Sequence, residues 1–483
     1  MIVTLTVLLG MFCAAMEALI TATLLPTIIA EFGQIELYPW VINGFLLLFI
    51  LMTPVFGKLS DTYGYKRIYL LAVLIFLFSS LLCGIARSMP QLVLFRSLQG
   101  IGTGGLITMS VIFFGEVFTL DERPKMQALL SSMWAIASIL GPSIGAYLAL
   151  TFSWRWAFLI NIPLASLIFL LILIFAEQKT SDGTSAPFDL KGMVLFFPGC
   201  ASLVYGLVEL SQFRVFPSAL LFLFPGVFFL WGFYRHSKRQ DDSFLPLSLF
   251  ARKEALLAVI MGFFGGIFLF ATANFMPLYV QGVLGESAKQ SSYVITAIAL
   301  GSFTGAVFSG IFLNRAGFRT MTSGGSLAII TGYGLTLTRT AREELMILAL
   351  CTYAIGMGIS MIANASIIAL QASSPKEMIG RATSMFHFFR SFGGLIGVSV
   401  LGGLQVGIFK WGIDGHPMAN SPEQIFNPAL QNSVVNLPLL KTALSQSILA
   451  IFVTCFIIGL IAWTISLNVT TKRPIDYKET PHV

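Results

Sequence analysis

Charge is what this chain most lacks. Asp, Glu, Lys and Arg make up 11% of its 483 residues and hydrophobic residues 56%, a balance that excludes a soluble domain of this length and points to a polytopic membrane protein. Cysteine and histidine are scarce as well. Cys13, Cys83, Cys200, Cys351 and Cys455 sit in separate apolar runs, and His236, His387, His416 and His482 are equally scattered. No spacing suits a disulfide or a metal, so neither is expected. The net charge of +7 is not gathered on a soluble module, so nucleic acid is not an expected partner and the bases are read against topology. No cluster of His, Asp or Glu lies at one membrane face, which leaves a membrane-embedded enzyme a distant alternative. Met1 leads straight into an apolar run without a basic head or a cleavage site, as a first span does and a cleaved signal peptide does not.

Long apolar runs are what the chain has. At about 20 residues per crossing, spans are expected near 2–30, 39–57, 68–87, 91–117, 125–150 and 155–176, then 192–210 and 216–234, then 253–282, 291–313, 320–338, 345–371, 379–409 and 445–469. The expected fold is all-α: two six-helix bundles with pseudo-two-fold symmetry, residues 1–176 and 251–470, a linker 177–250 with two additional helices packed outside them, and a tail 471–483, fourteen spans in all. Most loop bases, among them Lys58, Lys66, Arg67, Arg123, Lys191, Lys238, Arg239, Arg315, Arg319 and Arg381, then share one side, which makes both termini cytoplasmic. The long loop Trp411 to Ser445 falls on the other side and carries no assigned function.

One polar stretch recurs. Gly57-Lys58-Leu59-Ser60-Asp61-Thr62-Tyr63-Gly64-Tyr65-Lys66-Arg67 reads as a tight turn between two apolar runs, and Gly310, Asn314, Gly317 and Arg319 repeat its spacing in the second half. Two copies indicate a duplicated bundle of the kind found in secondary transporters. Asp61 is expected to face a helix N-terminus across the bundle boundary, and Lys66 and Arg67 to answer a carboxylate such as Glu116.

Gly57 to Arg67 resembles the loop signature of the major facilitator superfamily. Arg96-Ser-Leu-Gln99-Gly100-Ile-Gly102 is similar to its Arg-x-x-Gln-Gly-x-Gly pattern, and Gly141-Pro142 with Gly145 to its antiporter signature. With Trp154-Arg155-Trp156 through Asn161-Ile-Pro163, the likeness is to the fourteen-span drug:proton antiporter branch and covers essentially the whole chain. Thr62, Tyr65, Ala137 and Ala146 depart from the usual residues. The resemblance implies that Asp61, Lys66 and Arg67 latch an outward-open state.

Glu17 lies in the middle of the first span, where a charge costs about 2.5–3.5 kcal/mol on insertion scales. It must be paired, hydrated or protonated, which makes it the candidate proton site; a purely structural ion pair is the plain alternative. Arg390 is expected at a similar depth, able to meet Glu17 across the bundle interface, and Arg96 to serve it within its own bundle. His387 is one turn from Arg390 and is either a relay or a packing residue. Met16, Trp40, Gln99, Met109, Trp134, Asn274, Gln281 and Asn364 are the expected cavity lining, with Phe12, Phe275 and Met361, because a broad lipophilic pocket needs Met, aromatic walls and few polar groups.

The function expected is a monomeric, proton-coupled antiporter of the inner membrane. It would export small lipophilic, cationic drugs or toxic compounds by alternating access and draw on the proton-motive force with no cofactor. A dedicated exporter of one metabolite, siderophore or lipid, or an uptake transporter, remains open on the same fold.

Overall fold

The computed structural model describes residues 2–32, 37–177, 189–211, 216–239, 243, 245, 247–286, 288–338, 344–375, 378–413, 437–474 and 476. Most of the linker 177–250 between its two helices and the bundles, the middle of the loop Trp411 to Ser445, and most of the tail 471–483 lie outside them. Every regular element among the described residues is helical. That is the expected outcome of chain that is apolar for long runs: in hydrocarbon a backbone must satisfy its own polar groups, and a helix does so segment by segment.

In chain order the helices are α1 (Ile2–Phe32), α2 (Tyr38–Tyr63), α3 (Tyr65–Gly84), α4 (Met89–Val117), α5 (Arg123–Thr151), α6 (Trp156–Leu159), α7 (Asn161–Phe175), α8 (Leu190–Ser211), α9 (Phe216–Ser237), α10 (Lys253–Gly282), α11 (Ala288–Thr336), α12 (Leu345–Ser373), α13 (Ile379–Ile413) and α14 (Leu437–Ser466). Prolines at the first turns of α2, α4 and α5 start those helices where a missing N–H costs nothing. Among the described residues, 12 helices are long and apolar enough to cross a membrane. The fourteen spans read from the sequence differ from this count at two places. In α1 the segment Ile2–Ala18 is a shorter apolar helix, and α11 runs as one apolar helix over Gln290–Thr336.

Both copies of the repeated stretch reverse within the turn read from the sequence, and both do so in the same way. The chain does not turn at Gly57 or Gly310; the helices run on through both, and each reversal falls on the second glycine. Gly64 has φ 82° and Gly317 φ 81°, left-handed values that side chains with a Cβ rarely adopt. The first glycines serve close packing instead. A Cβ on Gly57 would lie 2.7 Å from the carbonyl oxygen of Gly380, and one on Gly380 would lie 2.8 Å from that of Gly57.

α1 packs along α5 and α7, α2 along α4, α3 along α4, α10 along α13 and α11 along α12; α2 meets α13, and α11 meets α5. One dry core (Ile20, Leu24, Ile28, Trp154, Phe158) belongs to α1–α6 and another (Phe268, Tyr279, Tyr333, Phe452) to α10–α14. A third, including Phe56, Phe114, Ile368 and Phe386, joins the two groups. The additional pair seats on this assembly. Phe196 of α8 packs 4.9 Å from Phe233 of α9 and 5.1 Å from Phe388 of α13, and Asp189 ties the ends of the pair through Gly192 N and His236 Nε2, each at 2.8 Å.

Gly317→Ala is expected to lower unfolding stability in detergent by about 1–2 kcal/mol, because Ala must adopt the left-handed backbone and crowd Thr471 O at 3.0 Å. Gly402→Ala, with nothing within 4 Å of its Cβ, should be neutral or favourable. Equal melting temperatures for the two variants would remove Gly317 as a required turn.

Candidate functional site

The centre of the α1 face holds a buried polar cluster. Glu17 is 0% exposed, and its partner is Arg96 of α4, 1% exposed, with Arg96 Nη1 donating to Glu17 Oε1 at 2.5 Å. Asn161, the first residue of α7, donates Nδ2–H to the other carboxylate oxygen. Arg390 is not among the groups that bind or act on Glu17, so the expected meeting across the bundles is corrected. Glu17 is paired within its own half, because α1 packs along α4 and α7. Arg96 is held in turn by Gln99 Oε1 at 2.8 Å and by the face of Phe45, 4.2 Å from its guanidinium carbon.

Gln99 is therefore no cavity residue. It bridges Arg96 to Ser80 Oγ of α3 at 2.8 Å and accepts from Cys83 Sγ at 3.6 Å. Three other lining expectations are corrected likewise. Trp40 stacks on Tyr205 of α8 at 6.4 Å, Met109 is fully buried in the joining core, and Met16 is buried with Ala15 and Ala137 under Trp134. Asn274 is exposed on α10 and bonds Phe270 O, Gln281 donates to Ser291 Oγ at 3.2 Å, and Asn364 is 2% exposed with Nδ2 unpartnered. In α13, His387 packs edge-on against Phe386 at 5.7 Å; His387 Nε2 and Arg390 Nε have no hydrogen-bond partner, and the Arg390 carbonyl abuts Gly266 of α10. Gly141 and Gly145 are buried within α5; the Pro142 side chain lies outside the described residues.

At the face where α2 turns into α3, Asp61 meets the first turn of α13. It accepts from Gly380 N at 2.9 Å, Arg381 N at 3.0 Å and Arg381 Nε at 3.1 Å. The N–H groups of a first helical turn have no partner inside the helix, and the dipole there favours an anion. Lys66 is half-buried, Arg67 is exposed, and Glu116 lies near Tyr65. The second copy repeats the crossing without the charge. Gly310 lies against Ala128 and Pro124 of α5, and Asn314 Nδ2 donates to Asp121 O at 2.6 Å. Gly317 turns against the segment after α14, with Arg319 Nε donating to Val469 O at 3.0 Å. Arg123, which opens α5 as Arg381 opens α13, donates to Gly115 O at the end of α4 and to Gln371 Oε1 of α12 at 3.3 Å; Gln371 Nε2 then donates to Thr383 Oγ1 of α13 at 3.0 Å.

Sequence reasoning missed Arg381, Arg123, Gln371 and Asn161 as partners. A basic residue opening the helix at the same place in both halves was the available signal for the first two. It also missed a clamp at the opposite face, where Glu31 accepts both Arg155 guanidinium nitrogens at 2.7 and 3.0 Å and Trp154 Nε1 at 2.7 Å.

A buried acid–base pair in an array of helices long and apolar enough to cross a membrane, with matched glycine crossings at one face, is an arrangement that suits a membrane transporter. The family model of the Major Facilitator Superfamily matches residues 7–398, and the chain belongs to that superfamily. It is 30% identical over 416 residues to Multidrug resistance protein 3 of Bacillus subtilis, covering 84% of this chain and 80% of that protein. It is 29% identical over 400 residues to the multidrug transporter protein MdtP of the same organism, covering 82% and 74%. Its fold is similar to that of the human organic anion transporter MFSD10, with a TM-score of 0.66, 16% identity, and 96% and 99% of the two chains covered.

Asp61→Ala should loosen the crossing of α2 and α13, since bonds to a charged group contribute about 1.5–3 kcal/mol each. With the five native cysteines replaced, thiol labelling of Ser60→Cys, buried at 2% exposure, is expected to speed up roughly tenfold or more in the Asp61→Ala background. An unchanged rate would show that Asp61 does not hold this face shut.

Proposed function

We propose that this transporter is a proton-coupled antiporter that exports small lipophilic, cationic compounds from the cytoplasm, with Glu17 exchanging proton for substrate. One observation carries the reading: Glu17 and Arg96 are both fully buried yet ionisable, paired at 2.5 Å in the middle of a span. Each charge is costly there without the other. A proton reaching Glu17 cancels the attraction and frees Arg96, so protonation changes how α1 sits on α4. The names of the two Bacillus subtilis relatives support drugs as substrates. Inward movement of one proton under 100 mV supplies about 2.3 kcal/mol, before any pH gradient.

On this reading the bundle 1–176 rocks against 251–470, the linker 177–250 carries the additional pair, and the tail 471–483 is cytoplasmic, as are both termini in the inner membrane. The charged crossing of Asp61 with Arg381 and the neutral crossing of Asn314 with Asp121 close the cytoplasmic face. Lys66, Arg67 and Glu116 flank it; Arg390 and His387 tune the opposite half. Trp134, Asn274, Gln281 and Asn364 remain the proposed lining, and Gly141, Pro142 and Gly145 let α5 lie close to α1. Two features support the fourteen-span branch: α1 runs for 31 residues, and α11 carries a non-helical residue, Gly317, within 49. A straight helix of that length would be about 74 Å long, more than two bilayer cores.

In everted membrane vesicles the wild type should extrude ethidium only while the proton gradient stands, and an uncoupler should stop it. Glu17→Gln is expected to abolish this transport with the protein still folded. Ethidium movement that ignores both the uncoupler and the substitution would refute proton coupling. Failure of a whole panel of lipophilic cations, with coupled export of one metabolite, would select the dedicated exporter.

A further inference from the structure

The polar atoms around Glu17 are not all satisfied. Arg96 and Asn161 Nδ2 take its two carboxylate oxygens. Asn161 Oδ1, in a side chain with 0% exposure, has no hydrogen-bond partner. A buried acceptor left unpaired is destabilising, so an orphaned one beside an acid asks for a reason. The two ends of an amide are nearly the same size, and a half-turn about the terminal torsion exchanges a donor for an acceptor. A carboxylate only accepts, whereas a carboxylic acid also donates one O–H.

We propose that Asn161 is the positioning residue that serves both protonation states of Glu17, donating Nδ2–H to the carboxylate as seen here and, after a half-turn, accepting the acid's O–H at Oδ1. This rests on the proton-coupling reading and deepens it. The proton passes from hydronium, whose O–H bond breaks to leave water, to Glu17 Oε2, the oxygen that faces the amide. Arg96 then keeps Gln99 Oε1 and the Phe45 face, both already in contact with it. In each state the atoms facing Glu17 are matched to what the side chain can offer.

The backbone around Asn161 suits a residue whose tip turns while its root stays fixed. Asn161 follows directly on the α6 turn, where Ile160 N bonds Trp156 O at 2.9 Å. That turn is anchored to α1 a second time, through Trp154 Nε1 and both Arg155 guanidinium nitrogens on Glu31. The ionisable groups acting on Glu17 among the described residues are Arg96 from α4, Cys13 on α1 itself and Cys83 from α3. α6 and α7 contain no ionisable side chain, and α5 has only Arg123 and Lys125 near its start and Tyr147 near its end. Of the neutral groups acting on Glu17, Thr21 lies one turn on in α1 itself and moves with it, and the Asn161 amide is the one placed to respond to a charge change from the α7 side.

Infrared difference spectroscopy of the full chain in proteoliposomes, taken between high and low pH, tests this. The wild type is expected to show a carboxylic-acid C=O band that Glu17→Gln removes. With 13C-labelled asparagine it should also show an amide C=O shift with the same pH midpoint. In Asn161→Leu the acid band should move to higher wavenumber and the amide shift should vanish; Asn161→Ser, whose hydroxyl both donates and accepts, should retain part of the lower frequency. An acid band at one frequency in all three proteins, or no asparagine signal at the Glu17 midpoint in the wild type, overturns the role of Asn161 and leaves coupling by Glu17 standing. Absence of any Glu17 acid band across the pH range overturns the coupling reading and this inference together.

Discussion

The contact on which the structure turns is a single ion pair out of reach of water. Glu17 and Arg96 sit on different helices, each nearly or wholly unexposed, and removing either leaves the other as an uncompensated charge in a low-dielectric seam. Such a pair is weak evidence of stability, since apolar residues would fill the same volume at lower cost. What it offers is two states. With the pair intact, α1 is tied to α4 and α7; with the acid neutral, the tie to α4 loses its charge while packing around Ala15, Met16 and Ala137 remains. Gln99, Ser80, Cys83 and Phe45 belong to this device because they fix the guanidinium, and an arginine without such support would pair loosely or follow its partner.

Much of this was legible in the chain. An acid in the middle of an apolar run announces itself by cost alone, and so do Arg96 and the polar stretch from Gly57 to Arg67. The helical fold and most span boundaries follow from hydropathy, because lipid leaves few alternatives. The facing of side chains was not legible in the same way. α4 has no single apolar face, its apolar residues being spread around the helix among buried polar ones, so nothing in its pattern tells a cavity position from a core one, and Gln99 and Met109 were read onto the wrong face. Trp40 was misread because nothing in its own run shows that α8, which packs on α13, also reaches α2. The pairing of Glu17 with Asn161 depends on how α7 docks against α1, a tertiary fact that no local spacing encodes. Which glycine of each copy makes the reversal was not legible, for a simple reason. Glycine serves reversal and close approach equally well, and only coordinates tell them apart.

The two copies of the repeat show how one geometry can carry different electrostatics. In each, a small residue lets two helices cross closely and a polar residue one turn on bonds backbone groups of the partner segment. Asp61 meets backbone N–H groups and a guanidinium, so its contact strengthens with charge and weakens on neutralisation. Asn314 meets a carbonyl, which an aspartate there could not do without repulsion. The base that opens α5 is thereby left for other work, and Arg123 turns to Gly115 O and Gln371. One crossing responds to charge and the other does not, although the backbone symmetry is kept.

The Glu17–Arg96 pair and the distant Gly57–Gly380 crossing are joined by continuous helices. α4 bears Arg96 and, 19 residues on, Gly115, whose carbonyl Arg123 binds; at 1.5 Å per residue the two lie about 28 Å apart. α2 bears Phe45, against which Arg96 lies, and also Gly57 and Asp61, which meet α13. A shift of the Arg96 guanidinium therefore acts on two helices whose far ends both touch the second half of the chain. Such a connection is a physical warrant for coupling only if those ends have two discrete arrangements. The Gly57–Gly380 crossing is the place to look for that condition, because the close backbone approach and the three bonds of Asp61 to Gly380 and Arg381 would all be lost together if α2 and α13 parted.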